Sequence, residues 1–174
     1  SLSYSVEVFG QKSYNGVANI TKNGSTQTSK GISGLVDPQT RVISTTHKDV
    51  RVVNVYVPNG QAVGSEKFDY KLSWLKHLKK MLKDDLKKHP KMVVLGDFNI
   101  APSDQDVHDP EKWKDKILCS AQERTMFEEI LSLGFKDSFR LFEKEAGFHS
   151  WWDYRTAAYT KELGLRIDLL LISN

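Results

Sequence analysis

Met92-Val93-Val94-Leu95-Gly96-Asp97-Phe98-Asn99-Ile100-Ala101-Pro102 is the stretch whose reading decides the fold. Met92 to Leu95 are apolar without alternation, the pattern of a strand covered on both faces. At Gly96 a backbone without Cβ can turn or approach a neighbour closely. If the chain stays extended, Asp97 and Asn99 point the same way, because strand side chains repeat every two residues. A carboxylate beside a carboxamide at a strand end can hold a hard cation or a phosphate-derived oxyanion. An Asx-rich turn after a core strand explains these residues equally well.

On the N-terminal side, Phe68, Leu72, Leu75, Leu78, Leu82 and Leu86 recur at helical spacing. The other face of that helix carries Lys71, Lys76, Lys79, Lys80, Lys83, Lys87 and Lys88, read as a solvated face rather than a DNA-binding stripe. Before it, Arg41 to Thr46 and Val50 to Val57 form a hairpin across His47-Lys48-Asp49, and Tyr56 falls near the second strand's end. Strand, long helix and buried strand make a crossover unit, so the fold class is α/β. Further upstream, Tyr4–Phe9 and Tyr14–Ile20 read as strands, and Thr26 to Pro38 as a surface loop.

Downstream, Asp109-Pro110 is a helix start, and Ser120-Ala121-Gln122-Glu123 is a capping box opening a helix that buries Met126, Phe127, Ile130 and Leu131. Gly134 fits as its C-cap. Trp151 and Trp152 fall in a segment read as a loop, and Leu165 to Ile172 as one strand with two charges inside it. Asp168 in that strand needs a partner if buried. Arg166, two residues earlier, is the structural partner; orientation of a histidine is the functional alternative.

The 174 residues suit one domain over 1–174, with 39% hydrophobic and 27% charged residues. No apolar run is long enough to span a membrane, and the single cysteine, Cys119, excludes an internal disulfide. A soluble, cytoplasmic, monomeric protein is the expectation. The net charge of +3 is too small to argue for nucleic-acid binding. The five histidines show no zinc spacing, and neither a Gly-rich phosphate loop nor a Gly-x-Ser-x-Gly elbow is present.

Several segments in order carry a more specific signal. They are Gly10-Gln11-Lys12 with Tyr14-Asn15-Gly16-Val17-Ala18; Val52-Val53-Asn54-Val55-Tyr56-Val57-Pro58-Asn59-Gly60; Gly96-Asp97-Phe98-Asn99; Asp137-Ser138-Phe139-Arg140; Ser150-Trp151-Trp152-Asp153-Tyr154-Arg155; and Gly164-Leu165-Arg166-Ile167-Asp168. Together they resemble the exonuclease III-type apurinic/apyrimidinic endonucleases of the endonuclease/exonuclease/phosphatase superfamily. The resemblance implies a four-layered α/β sandwich, two packed mixed sheets flanked by helices. It also implies Mg²⁺-dependent hydrolysis of DNA 5′ to abasic sites, with Mn²⁺ able to substitute, accompanied by 3′–5′ exonuclease and 3′-end trimming. The implied partner is double-stranded DNA with abasic sites or blocked 3′ ends.

Residue by residue, the resemblance makes Tyr56, Asp97, Asn99 and Asp168 catalytic: a phenol near the phosphate, an acid/base, a transition-state stabiliser and a group orienting a histidine. Asp97 and Asn99 are also the expected metal ligands, and Asn59, Trp151 and Arg155 the expected substrate contacts. Leu141, His149 and Glu162 depart from the family pattern tolerably. The family's metal-binding glutamate segment and closing Ser-Asp-His segment have no counterpart here, so both ends look truncated and residues 1–174 alone are expected to be nearly inactive. The alternatives are another phosphoesterase of the superfamily, acting on an inositol phosphate or phospholipid, and a non-catalytic nucleic-acid-binding module.

Overall fold

The computed structural model describes residues 3–174; residues 1 and 2 of the domain expected over 1–174 lie outside the described residues. The chain runs β1 (Ser5–Gly10), β2 (Gly16–Thr21), β3 (Thr26–Lys30), β4 (Val42–His47), β5 (Val50–Tyr56), α1 (Glu66–Leu86) and β6 (Met92–Asp97). It continues through α2 (Pro110–Trp113), α3 (Ala121–Leu131), β7 (Phe135–Asp137), α4 (Ser138–Phe142), β8 (Trp151–Trp152), β9 (Gly164–Leu165) and β10 (Asp168–Ser173). Six strands form one mixed sheet in the order β3-β4-β5-β6-β10-β7, while β1-β2 and β8-β9 are separate hairpins.

The expected crossover is present: β5 and β6 are parallel neighbours joined through α1. Ser65 caps α1 by accepting from the Phe68 amide at 3.2 Å. The apolar stripe of the helix buries Phe68, Trp74, Leu75, Leu78 and Leu82, the last four in one core with Val53, Val55 and Val94 of the sheet. Fully burying each such side chain contributes about 1.5–3 kcal/mol. Phe127 and Ile130 of α3 join the same core, with Phe127 edge-on to Phe98 at 5.9 Å.

The opposite face of the sheet is covered over β4 and β5 by the β1–β2 hairpin, tied down by Asn19 Nδ2 to Thr45 Oγ1 at 2.9 Å and Asn54 Nδ2 to the Ala18 carbonyl at 3.0 Å. Of the two packed sheets expected, the described residues supply the six-stranded sheet, this hairpin and the two-stranded β8–β9 pair. β6 consequently alternates: Met92 and Val94 are buried beneath the helices, Val93 and Leu95 only half-buried on the other face. The uninterrupted apolar run therefore did not mean equal cover on both sides.

Two further segments differ from their sequence reading. Thr26–Lys30, expected in a loop, is an edge strand, exposed throughout and paired with β4 across a bulge. Its lack of apolar residues hid it. Arg51 holds it from below, donating to the Gln27 carbonyl at 2.5 Å and Ser29 Oγ at 2.7 Å. Leu165–Ile172 is two strands, not one, and Trp151–Trp152 is a short strand paired with Gly164–Leu165. The break at Arg166 arises because its amide bonds to the Asp106 carbonyl at 2.8 Å, drawing the chain out of the sheet.

Gly96 is the described glycine at which an added Cβ would meet its neighbour most closely. Its φ is +129°, and a Cβ there would lie 2.0 Å from the Val55 carbonyl oxygen on the neighbouring strand. Gly96→Ala is expected to cost roughly 3 kcal/mol or more, because backbone, not a flexible side chain, must give way. Thermal unfolding of the variant checks this; a melting temperature within a degree or two of wild type would contradict it.

Candidate active site

Three neighbouring strand ends converge. The register sets Tyr56 of β5 beside Asp97 of β6, and Asp97 beside Asp168 of β10. Directly paired residues share a face with Cβ atoms about 5 Å apart, so a phenol and two carboxylates stand in a row. They lie on the sheet face turned away from α1 and α3, as the burial alternation along β5 and β10 shows. Asp168 is exposed at the start of β10, not buried within a strand. Arg166 is not its partner: the guanidinium bonds Asp106 Oδ1 at 2.6 Å and Asp137 Oδ2 at 2.7 Å.

β6 ends at Asp97, and the chain then turns, with Asn99 in the left-handed region at φ 49°. Asp97 and Asn99 thus meet through a turn rather than by strand alternation. The Asn99 amide donates to Asp97 Oδ1 at 2.8 Å, and Asn99 Nδ2 donates to Asp97 Oδ2 at 3.0 Å and to the Val57 carbonyl at 2.9 Å. Asn59 Nδ2 donates to Asn99 Oδ1 at 3.0 Å, extending the chain of bonds to the loop after β5. The Asx turn and the expected functional pair are the same object.

Tyr56 is held by Arg41, whose guanidinium lies 4.6 Å from the ring centroid and donates to the Tyr56 carbonyl at 3.0 Å. A cleft of about 520 Å³ opens beside this pair, lined by Asn59, Lys67 and Tyr14 among others. Trp151 is half-buried against Ala101, Leu118 and Leu165. Its segment is pinned next to Asp168 by Ser150 Oγ, which accepts from the Ile167 and Asp168 amides at 3.1 and 3.0 Å. Arg155 makes a two-pronged pair with Asp153, at 2.9 and 3.1 Å, and no hydrogen bond or ion pair links it to the row.

Lys71 departs most from the sequence reading. Expected on the solvated face of α1, it is fully buried and paired with Glu123, which is also fully buried. Its position is three residues after Phe68 and four before Leu75, inside the apolar stripe, which was the available signal. Arg41 gave none, since its role depends on what lies across the strand pair.

Burial pushes the Asp97 carboxyl up to about 6 from 3.8. The Asn99 amide opposes this, the charge of Asp168 adds to it, and Lys71 and Arg41 oppose it. The local donors are oxygens: Asp97, Asp168 and the Asn99 carboxamide. Among the described residues no group of three or more His, Cys, Asp or Glu is placed to hold a metal ion. Two carboxylates and a carboxamide are the oxygen donors that Mg²⁺ takes alongside water or substrate oxygens.

Because Asp97 ionises near 6 when folded and near 3.8 when unfolded, the folded state binds more protons between those values. Its contribution to stability is therefore present below pH 4 and lost as pH rises to about 6. In chelator-containing buffer, Asp97→Asn is expected to remove that slope. Melting temperatures of the two proteins from pH 4 to 7.5 test this, and parallel curves would contradict it.

The sequence matches the Endonuclease/Exonuclease/phosphatase family over residues 3–174. It is 34% identical over 165 residues to the exodeoxyribonuclease of Bacillus subtilis (strain 168), covering 94% of this chain and 65% of that protein. The 3′ phosphatase NExo from Neisseria, solved with a product DNA hairpin, is similar at TM-score 0.96 and 46% identity, over 98% of this chain and 67% of that one. An AP endonuclease from Archaeoglobus fulgidus gives TM-score 0.92 at 32% identity, over 98% and 67%. The chain thus spans about two thirds of the length of these relatives. The order of motifs, the mixed sheet and the match along the described residues agree: the chain belongs to the Endonuclease/Exonuclease/phosphatase family.

Proposed function

We propose that the protein is a DNA repair nuclease that hydrolyses the phosphodiester on the 5′ side of abasic sites and trims blocked 3′ ends, with Mg²⁺ as cofactor. The observation carrying this reading is the row Tyr56–Asp97–Asp168 on adjacent strand ends, with Asn99 and Asn59 bonded in series to Asp97. In-line displacement at phosphorus needs a positioned water, neutralised charge on the equatorial oxygens and a protonated leaving oxygen.

In this reading Asp97, ionised at neutral pH, takes the proton of the attacking water or returns one to the leaving oxygen. The Asn99 amide bonds hold its two oxygens in one orientation. Tyr56, steadied by Arg41, directs its phenol at a phosphate oxygen. Asp168 carries a second negative charge beside Asp97, suited to orienting a cationic or metal-bound group. Mg²⁺, held by Asp97 and the Asn99 carboxamide, would supply charge neutralisation at the phosphate. Trp151, on the segment that Ser150 fastens to Asp168, offers an apolar surface to a sugar lacking its base, and Asn59 and the cleft beside Tyr56 face the flanking backbone.

A second reading is weighted towards 3′ ends. The 46% identical Neisseria protein is described as a 3′ phosphatase, whereas the AP endonuclease from Archaeoglobus is 32% identical. The same row serves both, because each is an attack on phosphorus with a different leaving group.

The test is incision of a duplex carrying one abasic analogue by the full-length protein rather than residues 1–174 alone, with Mg²⁺ or with chelator, alongside duplexes with a 3′-phosphate or an undamaged recessed 3′ end. A Mg²⁺-dependent nick 5′ to the lesion is expected, falling about 10²–10⁴-fold in Asp97→Asn. Release of the 3′-phosphate without a nick would favour the second reading. Turnover confined to small phosphoesters, or binding to abasic duplex with no turnover, would overturn both.

A further inference from the structure

We propose that Lys71 is a positioning residue for Asp97: its buried ammonium clamps the loops after β5 and β6 together and so fixes the Asn99 amides on the carboxylate. This rests on the role given to Asp97 above. A lysine ammonium has three donors and no acceptor, and Lys71 directs its bonds to three separate elements. They are Glu123 at the start of α3, the Asn99 carbonyl at 2.6 Å and the Asn59 carbonyl at 3.2 Å.

Those two carbonyls belong to the residues whose side chains carry the site. Asn59 and Asn99 are already joined through their carboxamides at 3.0 Å, and Asn99 grips both oxygens of Asp97. Asn99 does so in a left-handed backbone conformation, φ 49°, which asparagine adopts more readily than other residues with a side chain. Its amide donates to Asp97 and its carbonyl accepts from Lys71, so both backbone polar groups of that turn residue are held.

Glu123 makes the clamp rigid. Its carboxylate also accepts from the Leu118 amide at 3.0 Å, the Ser120 amide at 3.1 Å and Ser120 Oγ at 2.7 Å. The capping box of α3 is therefore the far anchor of the active-site turn. A merely structural residue at this place in the apolar stripe needs no charge, since well-packed apolar side chains replace buried ion pairs without loss of stability. Spending two donors on the loops that carry Asn59 and Asn99 is what distinguishes positioning from packing.

The experiment compares wild type with the charge-neutral double variant Lys71→Met/Glu123→Gln in the full-length protein, under incision kinetics and with ¹⁵N-asparagine labelling. The variant is expected to lose about 10- to 100-fold in kcat while KM stays within about twofold. The side-chain amide resonances of Asn59 and Asn99 should shift or broaden. A folded variant with both resonances unmoved and kcat within twofold would overturn the proposal, as would a change in KM alone. If the double variant does not fold, the wild type decides: a scalar coupling across the hydrogen bond from Lys71 Nζ to the Asn99 carbonyl carbon supports the clamp, and its absence overturns it. The resonances are read without substrate, so a wild type that incises no DNA would remove the proposed function and leave this inference to the spectroscopic result.

Discussion

The approach of Gly96 to the Val55 carbonyl is the constraint on which the rest depends. With φ at +129° and no side chain, β6 lies against β5 more closely than any residue with a Cβ would allow. That contact sits one residue before Asp97 and maintains the register placing Tyr56 beside Asp97. Because β10 pairs with β6 on the other side, the same register places Asp168. Side chains flip faces with every one-residue slip of a strand, so a shift at Gly96 would turn the site carboxylate into the core.

Among the described residues, two clusters of buried charge lie on segments that lead to this row. Lys71 and Glu123 are sealed between α1 and α3, and Asp106 is sealed between Arg140 and Arg166. Burial alone would push Asp106 up, but the two guanidiniums hold its carboxyl below the usual range. Removing one partner of such a pair costs about 3–5 kcal/mol, while the intact pair adds little net stability. Both clusters touch segments that lead directly into the site: Lys71 reaches the turn after Asp97, and Arg166 precedes Asp168 by two residues. Here buried charge serves the geometry of loops that apolar packing cannot orient, since apolar contacts carry no direction.

The surroundings of the site were legible where one element decided the matter. The β5–α1–β6 crossover, the Ser120–Glu123 capping box and the special role of Gly96 follow from local pattern and backbone sterics. The edge strand β3 was not legible, because its cover comes from Arg51 and β4 rather than from its own polar residues. Nor was the pairing of Arg166. Its proximity in sequence to Asp168 suggested a partner, whereas the break between β9 and β10 turned the guanidinium towards Asp106 and Asp137.

By itself the sequence determined the α/β class, the strand–helix–strand crossover and the family, because apolar periodicity, capping residues and motif order are properties of a short segment or of the chain's linear order. Only the tertiary structure decided that Asp97 neighbours Asp168, that Lys71 lies inside and that Asp97 ionises near 6. The physical reason is one and the same. Strand register, burial and charge compensation depend on residues that folding brings together from distant parts of the chain, and no local window contains both partners.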